Sequence, residues 1–287
     1  MATLSDAQVA ASARLTAAFK ARQNREAARI AALVALYYQR HVNVEDPQAI
    51  EAWLELMIPR LIRSSDNGAR EAAVFYDALR RIEVVRSDAP FKAVPSTGVI
   101  DAGVRKSLLT VGPFDYTNKA REIRTLDVGP QQERAMLAEA KQVTSKKIAQ
   151  AVVRHAQAGG RQTIHVNSEQ DRVALGWVRV TRAKPCYFCA MLAARGIHYR
   201  PFKEDSFEIS NANFTGTGDA KVHDECGCSL KAVYADNDPI LDRNETFVDQ
   251  WSLWGAGGGD AVLRFRRGYE HWRTTGEYLT WDQADSA

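Results

Sequence analysis

With 287 residues, 45% hydrophobic and 25% charged, the chain suits one large domain or two ordinary ones and is too apolar for a disordered polymer. A net charge of +3 argues for nucleic acid only if basic residues gather on one face. No apolar run approaches the ~18 residues of a membrane span, and the opening MATLSDAQVAASARL lacks a signal-peptide core.

A cytosolic protein is therefore expected, with reduced thiols, so clustered cysteines read as metal ligands or redox groups rather than disulfides. Ser5 followed by Gln8 makes a capping box for a first helix reaching about Gln39, with Ile30, Leu33, Val34, Tyr37 and Tyr38 on one face. Asp46-Pro47 gives the N-cap and first turn of a second helix. Its stripe is Ile50, Trp53, Leu54, Met57, Ile58, Leu61 and Ile62, and Pro59 should bend or end it by removing a donor. A third helix is predicted over 69–84, carrying Ala73, Phe75, Tyr76, Leu79 and Ile82. Residues 87–130, punctuated by Pro90, Pro95, Gly98, Gly103, Gly112, Pro113, Gly129 and Pro130, read as a hinge of short elements and loops.

From Gln131 a long helix is expected, ended by Gly159-Gly160, with Arg154 and His155 suiting the negative end of its dipole. Residues 174–181 alternate as a strand, Trp177, Arg179 and Thr181 on one face and Val178 and Val180 on the other. A short helix over 190–195 stops at Gly196, a loop follows, and 229–234 is a second strand. A Gly-rich turn at 255–259 precedes a basic amphipathic helix over 261–273. The expected fold is α+β and mainly helical. It divides into an N-terminal helical domain (1–86), the hinge (87–130), a long helix with a small zinc-stapled module of short strands (131–240), and a C-terminal extension (241–287).

The chemistry concentrates in the cysteines. Cys186 and Cys189 form C-x-x-C; 36 residues separate Cys189 from Cys226, which with His223 and Cys228 forms H-x-x-C-x-C, so that all 4 cysteines of the chain are used. Two ligands spaced in this way grip one tetrahedral ion from a tight turn, and a second pair from another loop closes the site. Five candidates compete for about four positions. Four thiolates would close a structural zinc site with His223 beside it; His223 as a ligand would instead free a cysteine as a nucleophile. Four unrelated buried cysteines, or a thioredoxin-like Cys186/Cys189 pair, are the competing readings.

Gly176-Trp-Val-Arg-Val, Cys186-Tyr-Phe-Cys-Ala-Met-Leu-Ala-Ala-Arg-Gly196, Tyr199 and Val222-His-Asp-Glu-Cys-Gly-Cys228 resemble the minor head proteins of actinobacterial tailed phages. These are named MuF-like minor capsid proteins or capsid maturation proteases, related to the phage Mu protein F group. The resemblance spans about 176–234 and implies a head-morphogenesis protein made beside the portal protein, major capsid protein and scaffold. It would be present in the host cytoplasm during assembly and then in the virion head near the portal, with no membrane partner.

Proteolysis is implied less firmly, since the chain has neither G-x-S-x-G nor H-E-x-x-H. Candidate parts are His223 as general base, Asp224 as its carboxylate, and Ser206 or Ser210 as nucleophile, against the reading of ordinary loop residues. Arg264, Arg266, Arg267 and Arg273, interleaved with Phe265, Tyr269 and Trp272, suit packaged DNA or an interface with capsid or portal. Arg179 and Arg195 read as solvated or ion-paired, and His41, His155, His165, His198 and His271 lack metal spacing.

Overall fold

The computed structural model describes residues 3–84, 89–96, 99, 101–197, 214–215, 222–223, 227–255 and 260–286, with backbone alone at 214–215 and 222–223. Helix α1 (Asp6–His41) starts at the predicted box: Ser5 Oγ accepts from the Gln8 amide at 3.4 Å and Gln8 Oε1 from the Ser5 amide at 2.9 Å. Helix α2 (Pro47–Glu83) is capped by Asp46, whose Oδ1 accepts from the Gln48 amide at 2.9 Å.

It runs unbroken where two helices were expected. Pro59 lies on the exposed face with Glu55, so the carbonyl that loses its partner there is open to water. Between 63 and 68 nothing terminates the helix. Ser64, Ser65 and Gly68 instead make a narrow buried stripe on which other helices close.

Within the stretch expected to hold short elements and loops, the elements are helical: α3 (Asp101–Leu109), a π-helical turn (Thr110–Phe114) and α4 (Asp115–Arg124). Pro113 sits in the widened turn, and a Cβ on Gly112 would stand 3.0 Å from Ile148 Cδ1. The glycine there serves packing rather than chain reversal.

Helix α5 (Pro130–Ala156) passes through Gln157 alone into α6 (Ala158–Gln170), so Gly159-Gly160 opens a helix instead of ending one. A Cβ on Gly159 would lie 2.2 Å from the Ser65 carbonyl oxygen. Because the obstacle is backbone, Gly159→Ala should lower stability by about 1–3 kcal/mol. Urea denaturation would read this as a lower midpoint at constant slope; an unchanged midpoint would contradict so close a crossing of α2 and α6.

Helices α1, α2 and α5 enclose the first core, centred on Tyr38, Trp53, Leu54, Leu61, Ile148 and Val152. The second core packs the sheet on α2 and α6. Phe19 and Phe75 stack at 4.2 Å, beside Tyr76, Trp177, Leu230 and Tyr234. Strands β1 (Gly176–Val180) and β4 (Ser229–Val233) pair antiparallel, with Val178 opposite Lys231. Both faces of β1 are buried, including Arg179; of the solvated and ion-paired states expected for it, burial excludes the solvated one. The two-residue strands β2 (Phe214–Thr215) and β3 (Val222–His223) also pair antiparallel.

The third core joins α7 (Tyr187–Ala193), α8 (Pro239–Trp254), α9 (Ala261–Thr275) and α10 (Trp281–Ser286) through Phe188, Met191, Phe247, Trp254, Phe265 and Tyr269. Helix α8 was not expected. Its start repeats that of α2: Asp238 Oδ1 accepts from the Ile240 amide at 3.1 Å, with Pro239 in the first turn.

Two buried polar clusters tie the sheet to the helices. Asp171 accepts from Arg80 Nε at 2.9 Å, Tyr234 OH at 3.2 Å and Tyr76 OH at 3.3 Å, and burial pushes both phenols up. On β4, Lys231 Nζ donates to Glu83 Oε1 at 2.7 Å and to Asp238 Oδ2, and Ser12 Oγ donates to the same Glu83 oxygen. Among the described residues no helix is long and apolar enough to cross a membrane.

Candidate metal centre

Strand β1 leads the chain to Pro185 and Cys186, and β4 begins directly after Cys228, so the paired strands deliver both cysteine loops to one end of the sheet. Cys186 is the N-cap of α7: its Sγ accepts from the Cys189 amide at 3.4 Å, which turns the C-x-x-C loop back on itself. Cys189 and Cys228 are buried against each other, and Cys186 packs alongside them half-buried. Tyr269 OH fixes the approach by donating to the Pro185 carbonyl at 2.9 Å.

Sequence reasoning placed Cys186, Cys189 and Cys228 together, and they are together. Cys226, Asp224, Ser206 and Ser210 lie outside the described residues, as does the side chain of His223. The His223 backbone pairs with Phe214. Among the described residues no group of three or more His, Cys, Asp or Glu side chains is arranged to hold a metal ion.

What the sequence did not reveal is the cationic surround. Lys20, from the middle of α1, donates through Nζ to the Thr181 carbonyl. Arg243 from α8 reaches the same carbonyl at 3.2 Å and that of Arg182 at 2.6 Å. The Arg182 guanidinium lies over Gly227, where a Cβ would come within 2.6 Å of Nη2. Arg161, buried in α6, donates to the Cys228 carbonyl at 3.4 Å. Burial pushes Lys20 down to about 8; the Cys228 and Cys189 thiols oppose that, while Arg243 and Arg182 add to it. No local motif announces Lys20, which lies 161 residues from Thr181.

His155 and His165 are held in internal contacts. Burial, with Arg154 and Arg161, holds His155 down to about 3, so it stays neutral and its Nε2 faces Arg154 Nη2 at 3.2 Å. His165 stands edge-on to Trp177 at 5.5 Å and 3.2 Å from Glu169. In α9, Phe265 and Tyr269 point inward. Arg264 pairs with Asp285 at 3.0 Å and lies over Trp281, Arg273 pairs with Glu270, and Arg266 lies over Tyr187.

A mainly helical protein thus holds a cysteine cluster at the end of a two-stranded sheet. The family model described as VG15 protein matches residues 7–251 of the chain, which belongs to that family of phage proteins. No curated protein and no solved structure matches it.

Proposed function

We propose that the chain is a minor head-morphogenesis protein of a tailed phage, of the MuF-like kind, incorporated near the portal during procapsid assembly. Its partners would be the portal protein, the major capsid protein and the scaffold. The observation that carries the reading is the family match over 7–251, within which the cysteine loops lie.

The donor set fits zinc. Thiolates are soft ligands, Cys189 and Cys228 meet from separate loops in a buried place, and the Cys189 amide bond to Cys186 Sγ preforms the turn. Cys186, Cys189, Cys226 and Cys228 would hold the ion, with His223 beside it. Zinc would supply folding energy to loops that have few apolar residues of their own. Purified protein should carry about one zinc per chain, and Cys226→Ser should release it. Protein that stays fully folded, metal-free and unable to take up zinc would remove the metal from the reading.

The competing reading is a maturation protease with His223 as base, Asp224 as its partner and Ser206 as nucleophile. Intact-mass spectrometry of the major capsid protein, co-expressed with the wild-type chain or with His223→Ala, separates the two. The expected result is identical uncut masses with the chain incorporated into heads. Loss of a terminal segment only with wild type, at equal metal content, would make the protein a protease. A third reading, a DNA-contacting or effector protein carried in the virion, would show salt-dependent DNA binding. Arg264, Arg266 and Arg273 each have a partner within the chain, which such binding would have to compete with.

A further inference from the structure

We infer that the exposed face of α1 docks on the exposed face of α8 in a second copy of this chain, through opposite charges in matching register. This contact lies beyond the portal, capsid and scaffold partners proposed above and needs no metal. From Ala10 to Leu36 the exposed residues of α1 are all alanine, arginine or leucine. Arg14, Arg22, Arg25 and Arg29 lie along that face, and Leu33 and Leu36 are 40% and 45% exposed. A solvated helix face usually mixes both signs of charge, as α2 does with Glu51, Glu55, Arg60, Arg63 and Glu71. The exposed face of α8 has the opposite sign: Asp242, Glu245 and Asp249, followed by Leu253 at 38% exposure. Its basic neighbour Arg243 is engaged with the Thr181 and Arg182 carbonyls.

The two faces also share a spacing. Arg22, Arg25, Arg29 and Leu33 follow one another at intervals of three, four and four residues, and Asp242, Glu245, Asp249 and Leu253 repeat those intervals. Residues so spaced fall on one stripe of a helix. Both helices rise about 1.5 Å per residue, so α1 and a second copy's α8, laid side by side in parallel, stay in step. Arg22 then meets Asp242, Arg25 meets Glu245, Arg29 meets Asp249, and Leu33 meets Leu253. Arg22, Arg25, Glu245 and Asp249 form no ion pair among the described residues, and Arg29 pairs with Glu26 of its own helix. A second α1 would set arginine against arginine. Phosphates would meet the arginines but leave Leu33 and Leu36 unused, whereas the alanines between them let another helix come close. A stripe of about three turns is short beside a standard interface, so the association is weak and depends on concentration.

Sedimentation equilibrium of the full chain at rising concentration tests this. Reversible self-association should appear at low salt and fade toward about 1 M, where screening acts within ~3 Å. Arg25→Glu and Glu245→Lys, each checked for folding by circular dichroism, should each weaken association about tenfold or more, since like charges then oppose each other. A chain carrying both changes should recover it, because the reversed charges meet again across copies. Wild type that stays monomeric at every concentration would overturn the contact. So would a double variant no stronger than the single ones, or association that neither single change weakens. Monomeric protein that binds duplex DNA, and loses it in Arg25→Glu, would also overturn it and give the α1 face to nucleic acid.

Discussion

Lys231→Met should destabilise the protein by about 3–5 kcal/mol, the cost of removing one partner from a buried charge cluster. Lys231 sits on β4 with 2% of its side chain exposed, between Glu83 at 0% and Asp238 at 2%. Methionine fills similar space but strands both carboxylates. Glu83→Gln should cost far less, because an amide oxygen still accepts from Ser12 and Lys231 and leaves one lysine facing one aspartate. Removing the base and removing an acid are therefore unequal, since two acids share one base.

The same arithmetic sets a pH dependence. Burial outweighs the pull of Lys231 and raises Glu83 above its ordinary 4.5, and its Oε2 has no hydrogen-bond partner among the described residues. Over the interval from 4.5 up to that raised value, the folded chain holds a proton that the unfolded chain has released. Stability from this group is full below 4.5 and declines as pH rises through the interval. Glu83→Gln should flatten that decline. Urea midpoints for the three proteins across mildly acidic to neutral pH measure both effects. A Lys231→Met midpoint within experimental error of wild type would refute the charge accounting.

How far the sequence could be read depended on whether its signals were local. Ser5 and Gln8, Asp46-Pro47, and the alternation around Trp177 act over a few residues, and the elements they predict are present. Pro59 and Gly159-Gly160 misled because a proline or glycine has a second use that only tertiary contacts reveal. Pro59 is tolerated on a wet face, and Gly159 is there for the approach of Ser65. Asp238-Pro239 carries the same local start signal as Asp46-Pro47, so the beginning of α8 is legible in the sequence. In the candidate site, C-x-x-C and C-x-C spacing announced three cysteines that do pack together. Lys20 and Arg243 could not be announced, because a lone basic residue on a helix resembles every solvated one until the fold places it.

Trp254→Ala should open the third core, at a cost of about 3–5 kcal/mol for a fully buried aromatic truncated to a methyl. The indole is 0% exposed and donates from Nε1 to the Leu279 carbonyl at 2.9 Å. Helix α9 crosses directly on its ring: a Cβ on Gly268 would stand 2.4 Å from Trp254 Cδ2. Surrounding helices cannot collapse into such a space without breaking that crossing. The family match ends at 251, so this tryptophan and all of α9 and α10 lie beyond it, yet they pack on Phe188 and Met191 of the helix that Cys186 begins. The effect should therefore reach the cysteines. Alkylation of Cys189, followed by peptide mass spectrometry, should be markedly faster in Trp254→Ala than in wild type, while proteolysis leaves α1 to α6 protected. Unchanged Cys189 reactivity alongside rapid cleavage in α9 would mean that the cysteine loops hold α7 by themselves, and the C-terminal helices would then be a covering rather than a support of the site.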